Sequence, residues 1–219
     1  MGLVLAGYGL TRPSPPDPVP TFGAGGSPAG TYGYDNVDQL SGSWILAGDG
    51  ESYVGYRIDV KPVDLAPAYT VTGRTNALQA FMGVSGRDVS NVAVEADLTR
   101  LTSGDPERDV ALRTRGLETE RFPKAVFVLG TSVNLSTIPP PSSEATFHVV
   151  GELRLHGKVH ALEVDLKARV IPGNPPVVEV IGAQTVRLAD FGIDPPNVAG
   201  ILDVKDTGVL EFKLRFLHA

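Results

Sequence analysis

The sequence predicts an all-β domain of about eight antiparallel strands. Three observations predict it. Apolar and polar residues alternate with period two over several stretches. Clusters of Gly, Pro, Asp and His punctuate those stretches as turns. Only one short stretch carries the start and stop signals of a helix.

The chain begins with an apolar stub, Gly2–Leu10 (GLVLAGYGL). It is too short to span a bilayer and lacks the basic flank of a signal peptide. It reads either as the remnant of a signal or anchor helix or as a tail without fixed structure. Thr11–Gly30 follows, dense in proline, glycine and small residues. Such a stretch buries too little apolar surface to offset the entropy of ordering and reads as a linker. Residues 1–38 are therefore assigned as stub and linker, and 39–219 as one β domain.

Within the domain, Val92, Val94, Ala96 and Leu98 share a face against Glu95 and Asp97. Pro106–Gly116 is the helical stretch: Asp105 can cap it, Pro106 suits the first turn, and Gly116 can end it. Asp109 and Arg113 lie at i, i+4, a spacing that makes an ion pair easy. Phe147, Val149, Leu153 and Leu155 alternate with His148, Glu152 and Arg154. His156-Gly157-Lys158 is a turn signal, after which Leu162, Val164, Leu166, Ala168 and Val170 alternate with Glu163, Asp165, Lys167 and Arg169. Val177–Val186 is more apolar throughout than these runs, and Gly182 reads as a bend or bulge. Leu210, Phe212, Leu214 and Phe216 alternate with Glu211, Lys213 and Arg215. One dry face and one wet face per strand fit two architectures, a two-layer sandwich or a closed barrel.

Composition narrows the functions. The chain has 219 residues, no cysteine and a formal net charge of −6. Disulfide frameworks and thiolate zinc sites are excluded, and a mildly acidic chain is a poor partner for nucleic acid. Gly83-Val84-Ser85-Gly86 is not a nucleophile elbow, since its second glycine directly follows the serine. Asp97, Asp109, Glu118, Asp190 and Asp194 are not paired by any sequence pattern, and Asp-Phe-Gly at 190–192 lacks the motifs of a kinase around it. His156 and His160 flank a turn and read as surface residues rather than metal ligands. No catalytic, cofactor or metal residues are assigned.

A resemblance completes the reading. Arg108–Phe127 (RDVALRTRGLETERFPKAVF) is followed by Gly151–Val159 (GELRLHGKV). Trp44, Ser52–Arg57 (SYVGYR), Val71–Thr75 (VTGRT), Val92–Leu101, Phe191–Asp194 and Val209–Leu217 keep the same order around them. Together these segments resemble the YceI-like family of lipocalin-like, polyisoprenoid-binding proteins. The resemblance selects the barrel: an antiparallel, up-and-down, eight-stranded lipocalin-like barrel with one short helical crossover. It implies a non-enzymatic protein that holds an apolar lipid, a polyisoprenoid or quinone-like chain, in the lumen. The implied setting is extracytoplasmic, with the front end as a membrane tether, and a homodimer is compatible. The residues expected to face the ligand are Ile58, Phe81, Val94, Leu112, Phe127, Phe147, Leu153, Val164, Leu166, Phe212 and Leu214. The alternative is a barrel filled by these same side chains, serving as an interaction module through its outer face or the loop at Ile138–Ser143.

Overall fold

The last strand, β12 (Thr207–His218), pairs with the first, β1 (Gly42–Leu46), and that pairing closes the sheet. The computed structural model describes residues 16–22, 40–62, 67–135, 143–194 and 202–219. Between the closing strands run β2 (Tyr53–Pro62), β3 (Tyr69–Thr75), β4 (Leu78–Ser85), β5 (Asp88–Asp97) and β6 (Lys124–Leu129). They are followed by β7 (Val133–Asn134), β8 (Ala145–Leu155), β9 (Lys158–Ile171), β10 (Val177–Arg187) and β11 (Leu202–Val204). The order around the barrel is β1-β4-β5-β6-β8-β9-β10-β12, eight antiparallel strands in up-and-down sequence. The sandwich is thereby excluded and the barrel established. A closed sheet has no free edge along its staves.

β1 and β2 share one edge of β12. Residues 216–218 of β12 pair with β1, while 209–213 pair with β2. β3 pairs with β2 and leads directly into β4, so β2 and β3 form a ribbon that extends one side of the barrel. The β8–β9 hairpin turns on His156 and Gly157, with φ of 52° and 73°. Positive φ at both central residues is what a two-residue type I′ hairpin requires.

The helical stretch lies where the sequence placed it. Asp105 accepts hydrogen bonds from the N–H groups of Glu107 and Arg108, and Pro106 opens α1 (Pro106–Ala111). The helix then widens into a π turn over Leu112–Gly116. That widening corrects the expected Asp109–Arg113 pair, because i, i+4 neighbours align only on a regular α-helix. Asp109 is buried and accepts instead from Thr102 Oγ1 and from the backbone and hydroxyl of Ser103, at 2.6–2.7 Å. Arg113 donates to the Leu101 carbonyl at 3.3 Å.

The outer wall over β3, β2, β12, β10 and β9 is not the wet face that alternation implies. Glu211 is fully buried there, held by Arg57 and by Arg74 at 3.0 Å. Glu179, 2 % exposed, lies 2.6 Å from Arg169 and 3.4 Å from Lys213. Residues 16–22, part of the stretch read as linker, rest on this wall. Arg74 donates to the Pro18 carbonyl at 2.7 Å, the Asp17 N–H donates to Thr72, and the Arg169 guanidinium lies 4.4 Å over the Phe22 ring. No helix among the described residues is long and apolar enough to cross a membrane. The apolar stub and the loop over 137–142 lie outside the described residues.

Candidate functional site

Strand parity builds the site. On β12, Leu210, Phe212, Leu214 and Phe216 face inward, and on β9 Leu162, Val164, Leu166 and Ala168 do the same. Phe147, Val149 and Leu153 of β8 and Phe127 and Leu129 of β6 complete the far side. These side chains do not meet in the middle. They surround a cavity of about 240 Å³.

The two ends differ. Leu98, Leu155, Phe191 and Ile193 pack together across the end that carries the β8–β9 hairpin. His156 helps to hold that end: its Nδ1 lies 3.1 Å from the Phe191 carbonyl and its ring meets Phe122 edge-on. At the opposite end the lining continues to Leu40, Val133 and Leu135. Outside the bore, on the β2–β3 ribbon, Tyr56 stacks over Gly73, and burial pushes its hydroxyl pKa up to about 12.

Of the eleven residues expected at the ligand, Val94, Phe127, Phe147, Leu153, Val164, Leu166, Phe212 and Leu214 line the cavity. Three do not. Phe81 is 52 % exposed on the outer face of β4, whose inward residues are Ala80, Met82 and Val84. Leu78, Ala80, Met82 and Val84 are all apolar, whereas Gln79, Gly83 and Ser85 share the face of Phe81, so its size alone misleads about which side faces in. Ile58 packs with Val60, Val71 and Val204 on the β2–β3 ribbon, beyond the bore. Leu112 sits on the π turn, against Gly116.

Other lining residues escaped the sequence reading. Val89 faces in although it is odd-numbered on β5, while Val92 and Val94 face in as even ones. The cause is a bulge: Phe81 pairs with Ala93 but Gly83 with Ser90, so Asn91 and Val92 together oppose Met82. Asn91 has φ 52°, and asparagine tolerates that conformation; it was the one available signal. Trp44, fully buried, also lines the cavity, a role that its strand's mixed pattern GSWIL does not reveal.

The chemistry of the lining is narrow. Among the described residues, Arg169 is its one charged member, and the guanidinium reaches outward to Glu179. Gln184 donates to the Thr185 carbonyl at 3.2 Å and the Trp44 indole N–H to the Leu40 carbonyl at 2.9 Å. Such a surface solvates hydrocarbon and offers nothing to hold an ion. Among the described residues, no group of His, Asp and Glu is placed to hold a metal.

The YceI-like domain matches residues 52–216 of this chain. Among curated proteins, none matches the sequence. Solved structures do. A polyisoprenoid binding domain from Saccharophagus degradans, implicated in plant cell wall breakdown, superposes with a TM-score of 0.62 at 15 % identity, covering 80 % of this chain and 98 % of that one. BcnA of Burkholderia cenocepacia gives 0.53 at 16 %, covering 74 % and 95 %. The YceI protein of Campylobacter jejuni gives 0.55 at 12 %, covering 67 % and 84 %.

Proposed function

The chain belongs to the YceI-like family, and we propose that it binds and carries, without catalysis, one slender apolar lipid of polyisoprenoid or isoprenoid-quinone type in its bore. One observation carries this reading. An eight-stranded barrel is narrow enough for its own side chains to fill, yet this one keeps a cavity of about 240 Å³ with an apolar lining. A hydrocarbon inside it is stabilised on leaving water, each methylene contributing up to about 0.8 kcal/mol. The filled-barrel alternative does not account for the void. The likeness to the Saccharophagus degradans polyisoprenoid binding domain supports the same ligand class. The carrier works outside the cytoplasm, and the segment ahead of residue 16 tethers it to a membrane.

Native mass spectrometry of gently purified protein, with extraction of the bound fraction, tests the reading. One lipid per chain is expected. A mass equal to the bare polypeptide, with no uptake of isoprenoid or fatty-chain probes, would overturn it.

A further inference from the structure

Two phenylalanine rings that face the bore do not project into it. They lie flat along its wall, each over a glycine. Gly182 on β10 is the direct cross-strand partner of Phe212 on β12. A Cβ added at Gly182 would stand 2.4 Å from Phe212 Cζ and 2.9 Å from its Cε1. Gly151 on β8 holds the Phe127 ring of β6 in the same way: a Cβ there would be 2.4 Å from Phe127 Cζ. No real Cβ tolerates such contacts, so any other residue at either position displaces the ring. The pairing register with β12 runs unbroken through Gly182, whereas the pairing with β9 ends there, at Leu166. Gly182 is therefore not a bulge in the β10–β12 ladder, which corrects that part of the sequence expectation. Its lack of a side chain is used for ring packing across strands.

We propose that Gly182 and Gly151 are the residues that set the free width of the bore and so restrict it to slender, flexible hydrocarbon chains. The magnitudes support this. An apolar void of roughly 150 Å³ accommodates one benzene. A single phenyl ring turned across a void of about 240 Å³ therefore blocks much of its cross-section. Outward escape is closed, because β-sheet backbone lies behind each ring. The same geometry states what is excluded. With both rings flat, a single chain passes between them, whereas a fused-ring molecule such as a sterol needs a ring removed. The inference deepens the proposed lipid binding and rests on the bore being the ligand site.

Gly182→Ala is the cleaner test, since the three atoms nearest its added Cβ all belong to the Phe212 ring. At Gly151 the Val128 carbonyl oxygen is also within 2.5 Å, so substitution there strains the backbone as well. Gly83→Ala on the outer face, with no neighbour nearer than 3.5 Å, is the control for adding a methyl to a strand. Crystal structures and binding of a linear polyene fatty acid should be compared across these variants. In G182A the Phe212 ring is expected to turn inward and to interrupt the cavity at its level. The polyene should then bind at least about tenfold more weakly, the equivalent of losing about two buried methylenes. G83A should match the parent, and G182A/F212A should recover the polyene and admit a sterol probe. A G182A structure with the ring still on the wall and the cavity unchanged would overturn the proposal. So would parental polyene binding by G182A. If G182A does not fold, sterol binding by F212A alone decides: uptake supports the width restriction, and refusal contradicts it. Should the parent bind no polyene while G182A still loses its cavity, the ligand assignment fails and the width assignment stands.

Discussion

The bore and the outer wall beneath residues 16–22 are both shielded from water, and they are built on opposite principles. Inside, Phe212, Leu214 and Phe216 of β12 meet hydrocarbon, and the lining has no polar demand to satisfy. On the other side of the same strand, Glu211, Lys213 and Arg215 meet Arg57, Arg74, Glu179 and Asp49 in ion pairs. A dry apolar face tolerates an empty volume and can exchange it for a ligand. A dry charged face cannot, because each buried carboxylate needs its cations in place. The lesson is a division of labour: the charged wall holds the staves together while the apolar wall stays free to accept a chain.

Mutation can break this contrast from either side. The largest effect is expected from Phe212→Asp, which puts an unpaired charge in hydrocarbon and should either unfold the domain or abolish lipid uptake. Circular dichroism and probe binding check it. Next comes Glu211→Gln. It leaves Arg57, 14 % exposed, without its counter-charge and Arg74, 24 % exposed, with only Asp17 at 3.5 Å. A loss of about 3–5 kcal/mol is expected in urea unfolding. Lys213→Glu should cost about 2 kcal/mol or more, since it sets a second carboxylate beside buried Glu179, 3.4 Å from the present ammonium. Alternation alone would make that substitution harmless. Glu163→Lys, at a β9 side chain 70 % exposed, should stay within about 0.5 kcal/mol and serves as the true surface control.

Two smaller effects sharpen the picture at the periphery. Asp105→Ala removes the cap of α1 and should cost about 1 kcal/mol by the same unfolding assay. Hydrogen bonds from Lys205 and Thr70 hold the Asp59 carboxyl below its usual 3.8. A folded-state pKa below the unfolded one stabilises the fold above that value and loses the contribution as pH falls through the folded pKa. Thermal midpoints measured between about pH 5 and pH 3 should therefore fall less steeply in Asp59→Asn than in the parent.

The fold was largely legible because strand parity is local. β8, β9 and β12 keep strict alternation, and every lumen residue read from them faces in. Phe81 misleads by its bulk alone, since Gln79, Gly83 and Ser85 share its face of β4. The other failures have physical causes that lie outside a local window. Val89 fails because one extra residue at Asn91 reverses the parity behind it. Buried Glu211 fails because its partner is remote: Arg57 and Glu211 are 154 residues apart. Ile58 is inward-facing as read, but it lies where β2 and β3 have left the barrel, and that departure depends on which edge of β12 each strand takes. Barrel and sandwich were indistinguishable by alternation, and only the family's segment order separated them.

Trp44 allows the central claim to be tested in one tube. It is the only tryptophan, it is fully buried, and it lines the bore. Its fluorescence should be quenched, saturably and at one per chain, by a brominated fatty-chain probe, while aqueous iodide leaves it untouched. Unchanged Trp44 emission at saturating brominated chain, in protein stripped of lipid, would contradict the account.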